Sequence, residues 1–177
     1  ESPYLAMLQK IATDTAKLIA SWQAFGFNHG VMNTDNMSIH GITFDYGPYA
    51  FLDDFEPSII CNHSDPQGRY SFDSQPGISL WNLNALAQAF NTQLETDAIK
   101  QALSSYELTL LEESSKLMHN KLGLLSEALD RQTNSHIINT WIDMLAVKKK
   151  DYSATFRSLC QFDIYDDNQN LRDQFIH

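Results

Sequence analysis

Glycine and proline are concentrated in one central part of the chain, and this distribution limits where helices can form. Residues 26–77 contain six of the seven glycines and four of the five prolines. Glycine interrupts helices through its conformational freedom, and proline does so through its missing N–H and its ring. We therefore predict loops and short strands for residues 26–77, between two flanking parts, 1–25 and 78–177, that are free to be helical.

Apolar residues recur at three- and four-residue spacing in both flanking parts, which is the period of one face of an α-helix. Before residue 26 they predict one amphipathic helix, with Pro3 tolerated in its first turn. From Ile78 onward they predict a series of helices, with caps near Asn91 and Thr92 and at Asp151. The predicted fold class is therefore mainly α. The later apolar stripes cover residues 80–90, 99–117, 122–129, 137–145 and 152–159.

The charge balance excludes several classes of partner. The chain carries 12 Lys and Arg against 22 Asp and Glu, a formal net charge of -10. Because binding to nucleic acid or to an anionic membrane needs clustered cations, neither is expected. No apolar run approaches the about 18 residues that cross a bilayer. The two cysteines, Cys61 and Cys160, form no CxxC pair, so we expect a reducing compartment: the bacterial cytoplasm, or the mitochondrion of a eukaryote.

One long stretch contains acids but no cation. Between Lys17 and Arg69 there is neither a lysine nor an arginine. Such a stretch repels anions unless it recruits a hard divalent cation, and Mg²⁺ prefers one or two carboxylates completed by water and substrate phosphates. A solvated acidic loop is the simpler interpretation of the composition alone. The six acids are Asp35, Asp45, Asp53, Asp54, Glu56 and Asp65.

A short alternation of apolar and polar residues favours the metal interpretation. Residues 37–39 and 42–44 predict a small β-hairpin whose turn, His40-Gly41, places glycine where φ is positive. Because paired strands lie ~4.8 Å apart, the residues that flank the hairpin, Asn36 and Asp45, are expected to converge at its open end. An amide oxygen and a carboxylate placed there make half of an octahedral Mg²⁺ site.

The same segment resembles the catalytic centre of a protein kinase. Kinases carry an H-x-D-x-x-x-x-N loop after a helix, then a hairpin and D-F-G. Here His29 and Asn36 stand at the expected offset, and Asp45 begins a D-Y-G. Val31 occupies the position of the catalytic aspartate and cannot accept a proton. Asp35 is the nearby carboxylate that can replace it.

Four longer strings make the resemblance more specific. FNHGVMNTDN at 27–36, DYGPYAFLD at 45–53, CNHSDPQGRYSFD at 61–73 and QPGISLWNL at 75–83 resemble the selenoprotein O family. The likeness is dense over residues 18–90 and weaker in the helical remainder. Members of that family have a pseudokinase fold and transfer AMP from ATP to protein hydroxyl groups.

The resemblance implies a role for three residues. Asp35 matches the proton acceptor, and Asn36 and Asp45 match the ligands of Mg²⁺ or Mn²⁺, with Asp45 also against the nucleotide phosphates. A Ser, Thr or Tyr hydroxyl of the protein substrate attacks the α-phosphorus of ATP, and pyrophosphate leaves. The family holds its nucleotide inverted relative to kinases, which presents the α-phosphate.

Several parts of such an enzyme have no counterpart in the sequence. There is no G-x-G-x-x-G loop, no strand lysine for the phosphates and no glutamate partner for that lysine. We therefore interpret residues 1–177 as a single kinase-like C-lobe fragment, with the N-lobe of the same parent chain as a missing partner. We expect the fragment alone to be inactive. The alternatives are a non-catalytic helical interaction module and a conventional Mg-dependent phosphotransferase that uses Asp35.

Other polar residues of the central part receive weaker assignments. Cys61, His63 and Asp65 have the spacing of a Zn²⁺ corner, but a structural zinc site needs four ligands, and an activation-segment loop is the preferred interpretation. Arg69 is expected to pair with Asp65 or Asp73 in a structural role. His29 is expected either to orient the loop through a hydrogen bond to the backbone or to have a purely structural role. These two hypotheses nearly coincide.

Overall fold

The computed structural model describes residues 2–124 and 130–161, and these contain five α-helices and one two-stranded antiparallel sheet. The prediction of a mainly α fold is confirmed. None of the helices in the described ranges is long and apolar enough to cross a bilayer. The helices are α1 (Pro3–Phe25), α2 (Gln75–Ala87), α3 (Thr96–Lys121), α4 (Arg131–Lys148) and α5 (Tyr152–Ser158), and the strands are β1 (Phe27–Asn28) and β2 (Ala50–Phe51).

Helix α1 runs through the first core and determines where the central segment begins. It starts with Pro3 in its first turn and ends at Gly26, whose φ of 69° is left-handed and whose N–H donates to Trp22 O. A Cβ at Gly26 would also lie 2.9 Å from the Tyr152 ring, so glycine is required there for two reasons. Fully buried alanines on α1 and α3 let these helices pack closely: Ala12, Ala16 and Ala102.

The later helices agree with the predicted stripes, with shifted boundaries. Helix α2 begins at Gln75, three residues before the predicted start at Ile78, because Pro76 fits the first turn. The cap of α3 is Glu95, not Asn91 or Thr92. The Asp151 cap is confirmed, since its carboxylate accepts from Ala154 N at 2.6 Å. The stripe predicted for residues 122–129 falls mostly outside the described residues, and its first three residues follow the end of α3 as a turn.

The predicted β-hairpin at residues 37–44 is wrong. Within the described chain, residues 37–39 and 42–44 are not strands. The turn between them is present, because Gly41 N donates to Ser38 O at 3.3 Å and Gly41 has a φ of 60°. The hairpin geometry therefore no longer supports the convergence of Asn36 and Asp45, which has to be argued from other contacts.

The hairpin fails because side chains from earlier in the chain bind the groups of this segment. Trp22 Nε1 donates to Thr43 Oγ1 at 2.8 Å, and His29 Nε2 lies 2.9 Å from the carbonyl oxygen of Phe44. Met37 packs against the cluster that contains Trp22. The segment is therefore held on helix α1 and on the residue that follows β1 by side chains, and a strand ladder does not form.

A second core joins the end of α1 to α3 and α5 around one lysine. Lys121 Nζ donates to Ala24 O at 2.5 Å, in the last turn of α1. The same ammonium lies 3.9 Å from the ring centroid of Phe156 and 4.5 Å from that of Tyr152. Burial lowers the pKa of Lys121 to about 8. The charged lysine therefore stabilises the C-terminus of α1 while burial opposes its charge.

This lysine predicts how stability changes with pH. Because the pKa of Lys121 is lower in the folded chain than in the unfolded chain, the unfolded chain binds more protons above pH 8, and the free energy of unfolding rises with pH there. From pH 8 to 9.5 we expect a rise of about 1 kcal/mol, a value discounted because the amine is only half-buried. Urea unfolding at each pH measures the rise.

The matched control is an exposed lysine on the same helix. Lys121→Met is expected to flatten the rise, whereas Lys116→Met is expected to leave it unchanged, because Lys116 is 68% exposed. Burial raises the pKa of Tyr106 to about 12, so this tyrosine does not titrate in the window. An equal rise in wild type and Lys121→Met would contradict the assignment.

Candidate functional site

The sheet closes the segment that carries the predicted site residues. Phe27 pairs with Phe51 and Asn28 with Ala50, so the segment 29–49 leaves the sheet on one strand and returns on the other. All three predicted site residues lie between these two strands. Antiparallel pairing holds both ends of the segment within one strand spacing, ~4.8 Å. The sheet thus brings the two ends of the segment together, which a hairpin within the segment was expected to do.

One buried glutamine holds the start of the segment. Gln75, fully buried at the start of α2, accepts from His29 N through Oε1 at 2.9 Å. Its Nε2 donates to Phe27 O at 2.9 Å. The side-chain amide therefore binds the backbone on both sides of Asn28, as a neighbouring strand would. Strand β1 is thereby paired on one edge by β2 and on the other by Gln75.

Two asparagines bind the next carbonyl groups. Asn82 Nδ2 donates to Met32 O at 2.9 Å, and Asn62 Nδ2 donates to Gly30 O at 3.2 Å. Gly30 has a φ of 80°, and a Cβ there would lie 2.5 Å from Cys61 Sγ. Glycine is required at this position because the backbone is left-handed and the neighbouring chain is close. Three side chains from two parts of the chain, Gln75 and Asn82 on α2 and Asn62 before it, thus fix the loop before Asp35.

His29 connects this loop to the segment that carries Asp45. Its side chain is 1% exposed, and its ring lies 5.3 Å from the ring of Trp22. Because a carbonyl oxygen only accepts, the 2.9 Å contact with Phe44 O requires a proton on His29 Nε2. The histidine therefore orients the backbone directly before Asp45. The orienting hydrogen bond weighed from the sequence is present.

Asp35 and Asn36 lie on a short 3₁₀ turn, Thr34–Asn36. Asn36 Nδ2 donates to Val31 O at 3.1 Å, which leaves the amide oxygen as the atom suited to a cation. Asp35 is exposed and stands at the surface of the turn. The turn thus offers a carboxylate and an amide oxygen at adjacent positions.

Asp45 has an uncommon backbone conformation. Its φ is 55°, a left-handed value that aspartate tolerates better than most residues. Gly47 N donates to Asp45 O at 2.8 Å and stabilises the tight turn, while the carboxylate is exposed. The tight turn thus fixes the backbone of this exposed acid.

The anchors of Asn36 and Asp45 lie close together. Asn36 is bonded to Val31, and the residue before Asp45 is bonded to His29. Since consecutive Cα atoms are ~3.8 Å apart, the Cα atoms of His29 and Val31 are separated by at most ~7.6 Å. The metal-ligand roles of Asn36 and Asp45 and the catalytic role of Asp35 stay predictions. Across residues 2–124 and 130–161, no group of three or more His, Cys, Asp or Glu is placed to hold a metal. The predicted site does not require such a group, because it has two protein ligands and is completed by substrate and water.

Two of the three residues weighed as a Zn²⁺ corner, Cys61 and Asp65, have other partners. Asp65 is buried and accepts from the backbone N–H of Arg69 at 3.0 Å and of Tyr70 at 2.8 Å. Cys61 Sγ lies 3.6 Å from Asn28 O as a donor, and burial raises the pKa of the thiol, which disfavours the thiolate that zinc binds.

The sequence reasoning missed the residues that hold the loop. Gln75 and Asn82 bind its backbone; together with Ser79, which bonds Tyr106 OH, they are buried on α2 at spacings of four and three and share one helix face. The signal was a polar stripe inside an otherwise apolar helix, where core positions were expected. Buried amides at such positions indicate backbone partners elsewhere in the fold.

These contacts define the class of structure. It is mainly helical, and it has an exposed acidic loop whose backbone is bound by buried side-chain amides. The family model described as protein adenylyltransferase SelO matches residues 1–175. The chain therefore belongs to the SelO family.

Curated bacterial relatives named protein nucleotidyltransferase YdiU agree with this assignment. One from Pseudoalteromonas atlantica is 60% identical over 176 residues, which are 99% of this chain and 36% of the relative. One from Vibrio vulnificus is 53% identical over 99% of this chain and 35% of its own length. One from an Enterobacter species is 47% identical over 98% of this chain and 35% of its own length. The chain thus spans about a third of these relatives.

The glutamine bridge predicts a large loss of stability on substitution. Gln75→Leu retains the volume but leaves His29 N and Phe27 O buried without a partner, so we expect a loss of about 2–4 kcal/mol. Gln101→Leu, at an exposed position of α3, is the matched control and is expected to change stability by less than about 0.5 kcal/mol. Urea unfolding measures both. Equal effects of the two substitutions would contradict the bridging role.

Proposed function

We propose that this chain forms the kinase-like C-lobe of a protein adenylyltransferase, which transfers AMP from ATP to Ser, Thr or Tyr hydroxyls of proteins. The observation that carries the proposal is the hydrogen bond between His29 and Phe44 O, which ties the Asp45 segment to the loop of Asp35 and Asn36. Membership of the SelO family supports the reaction class.

In this proposal Asn36 and Asp45 hold Mg²⁺ or Mn²⁺. Both provide hard oxygen atoms, and the amide nitrogen of Asn36 is already bound to Val31 O, which orients the amide. When bound, the cation neutralises charge on the triphosphate. Asp45 also lies against the nucleotide phosphates in this assignment. Two protein ligands suit an ion whose remaining positions are filled by water and phosphate oxygen atoms.

Asp35 is the proposed proton acceptor. It is exposed, so a hydroxyl of a protein substrate can reach it, and it is adjacent to Asn36 on a turn fixed by the Asn36 N to Asn33 O hydrogen bond of 2.9 Å. Val31 occupies the position of the catalytic aspartate of kinases and cannot accept a proton. The carboxylate orients the hydroxyl and accepts its proton as the oxygen attacks the α-phosphorus. Pyrophosphate is the leaving group.

The proposed missing partner is the N-lobe of the same parent chain. Tyr46, Tyr49 and Phe51 surround Phe27 beside Asp45, and they are 60%, 48% and 59% exposed. Adjacent exposed aromatic rings mark an interaction surface. Because the chain spans about a third of its curated relatives, other parts of the parent chain are available to cover this surface. The bacterial relatives and the free cysteines favour the cytoplasm as its location.

The site assignment is tested in the full-length parent with α-³²P-ATP and protein acceptors. Asp35→Asn and Asp45→Asn retain side-chain shape but remove a proton acceptor and a metal ligand, so each is expected to lower AMP transfer at least about 100-fold. Glu56→Gln, an exposed acid of the same stretch, is the control and is expected to retain activity. Transfer that survives both aspartate substitutions would refute the assignment.

The label also separates the alternatives. Transfer of the γ-phosphate with no α-label would indicate a conventional phosphotransferase. No transfer from either position, together with no response to Mg²⁺ or Mn²⁺, would favour a non-catalytic interaction module.

Residues 1–177 alone are expected to bind Mg-ATP poorly and to be inactive. The acidic stretch between Lys17 and Arg69 supplies no cation for the triphosphate, so repulsion is not offset. Isothermal titration with Mg-ATP and α-label transfer measure this, with the full-length parent as positive control. Measurable AMP transfer by this chain alone would contradict the expectation.

A further inference from the structure

Arg69 places one exposed guanidinium beside the acidic loop. It is the single Lys or Arg in the sequence between Lys17 and Lys100. Its guanidinium carbon lies 5.0 Å from the ring centroid of Trp81 and 5.7 Å from that of Tyr70. Stacking on two aromatic rings restricts the side chain and leaves its charge at the surface.

The expected pairing of Arg69 with an acidic side chain is wrong. Asp65 accepts from the backbone N–H of Arg69 and of Tyr70, so this carboxylate fixes the backbone and does not pair with the guanidinium. In the described ranges, no carboxylate lies within the 4.0 Å that defines an ion pair with Arg69. The cation is therefore pre-organised and still available for an anion.

A single aromatic ring connects this cation to the loop of the proposed proton acceptor. Tyr70 OH donates to Asn33 Oδ1 at 2.5 Å, and Asn33 directly precedes the turn that carries Asp35. Asp45 reaches the loop through a different contact, the bond between Phe44 and His29. Arg69 is thus connected through Tyr70 to the residue that precedes the Asp35 turn, whereas Asp45 is connected to the loop through His29.

We propose that Arg69 binds a carboxylate of the protein substrate that lies near the hydroxyl to be modified. This inference rests on the proposed adenylyltransferase function. The guanidinium presents a planar set of donors that matches a carboxylate with two parallel hydrogen bonds. A chain of net charge -10 otherwise repels an acidic protein segment, so one pre-organised cation determines where such a segment can approach.

The test uses the full-length parent and a peptide library with a fixed Ser, Thr or Tyr and a single Glu, Gln or Lys at each neighbouring position. Wild type is expected to prefer at least one Glu-containing series, measured as α-³²P-AMP transfer. Arg69→Glu is expected to lower kcat/KM for that series at least about tenfold, mainly through KM, and to favour the matching Lys series. The KM for ATP and transfer to Gln-containing peptides are expected to stay within about twofold.

Two controls separate charge from folding. Lys100→Glu makes the same charge change on an exposed part of α3 and is expected to leave the Glu preference unchanged. Arg69→Lys keeps the charge without the planar fork and is expected to retain part of the preference. Thermal unfolding of each variant checks that the parent remains folded.

The outcomes distinguish this inference from the function on which it rests. Wild type that labels proteins of a cell extract but shows no Glu preference, or Arg69→Glu that keeps the preference, overturns the role of Arg69 alone. A higher KM for ATP with unchanged peptide selectivity assigns Arg69 to nucleotide phosphate and also overturns it. Wild type that transfers no AMP to any protein overturns both proposals.

Discussion

The amide of Gln75 satisfies the backbone of a buried segment that has almost no regular structure of its own. Residues 27–30 are all buried, yet β1 has only two residues, so a sheet cannot pair every N–H and C=O. An unpaired buried backbone group costs about as much as a lost hydrogen bond. From one face of α2, Gln75 binds His29 N and Phe27 O, and Asn82 binds Met32 O shortly after them. The position of the loop therefore follows from the position of a helix that begins more than forty residues later in the chain.

Buried and exposed residues of this loop have separate tasks. His29 is inaccessible and binds backbone, whereas Asp35 and Asp45 are exposed and have no structural requirement to be acidic in the contacts observed. A carboxylate that meets a cation and a substrate hydroxyl has to be accessible, and it needs a rigid base to keep its geometry. The left-handed Asp45 is consistent with this division, because a costly backbone conformation persists only where its surroundings determine it.

Local rules predicted the helical parts of the fold and failed in the central segment. The Asp151 cap and the mainly α class depend on nearest neighbours and on periodicity, which the sequence displays directly. The hairpin at residues 37–44 had acceptable local chemistry, but Trp22 and His29, distant in sequence, bind the Thr43 hydroxyl and the Phe44 carbonyl oxygen. The positions of Asp35, Asn36 and Asp45 in one segment were predictable from motif spacing; the buried amides beneath them required the tertiary structure.

The charge distribution sets a condition on the proposed function, because an acidic loop repels a polyanionic substrate. At about 6 Å, two like charges repel by roughly 0.7–2.8 kcal/mol for effective dielectric constants between 80 and 20. Several such repulsions oppose the approach of a triphosphate unless a divalent cation and cations from elsewhere in the parent chain offset them. The one cation of the central segment, Arg69, is stacked on Trp81 and Tyr70 and connected to Asn33, away from the contacts that hold Asp45. Under the proposed function, the acids of the segment therefore bind the metal ion, and its single arginine is left for a different anion.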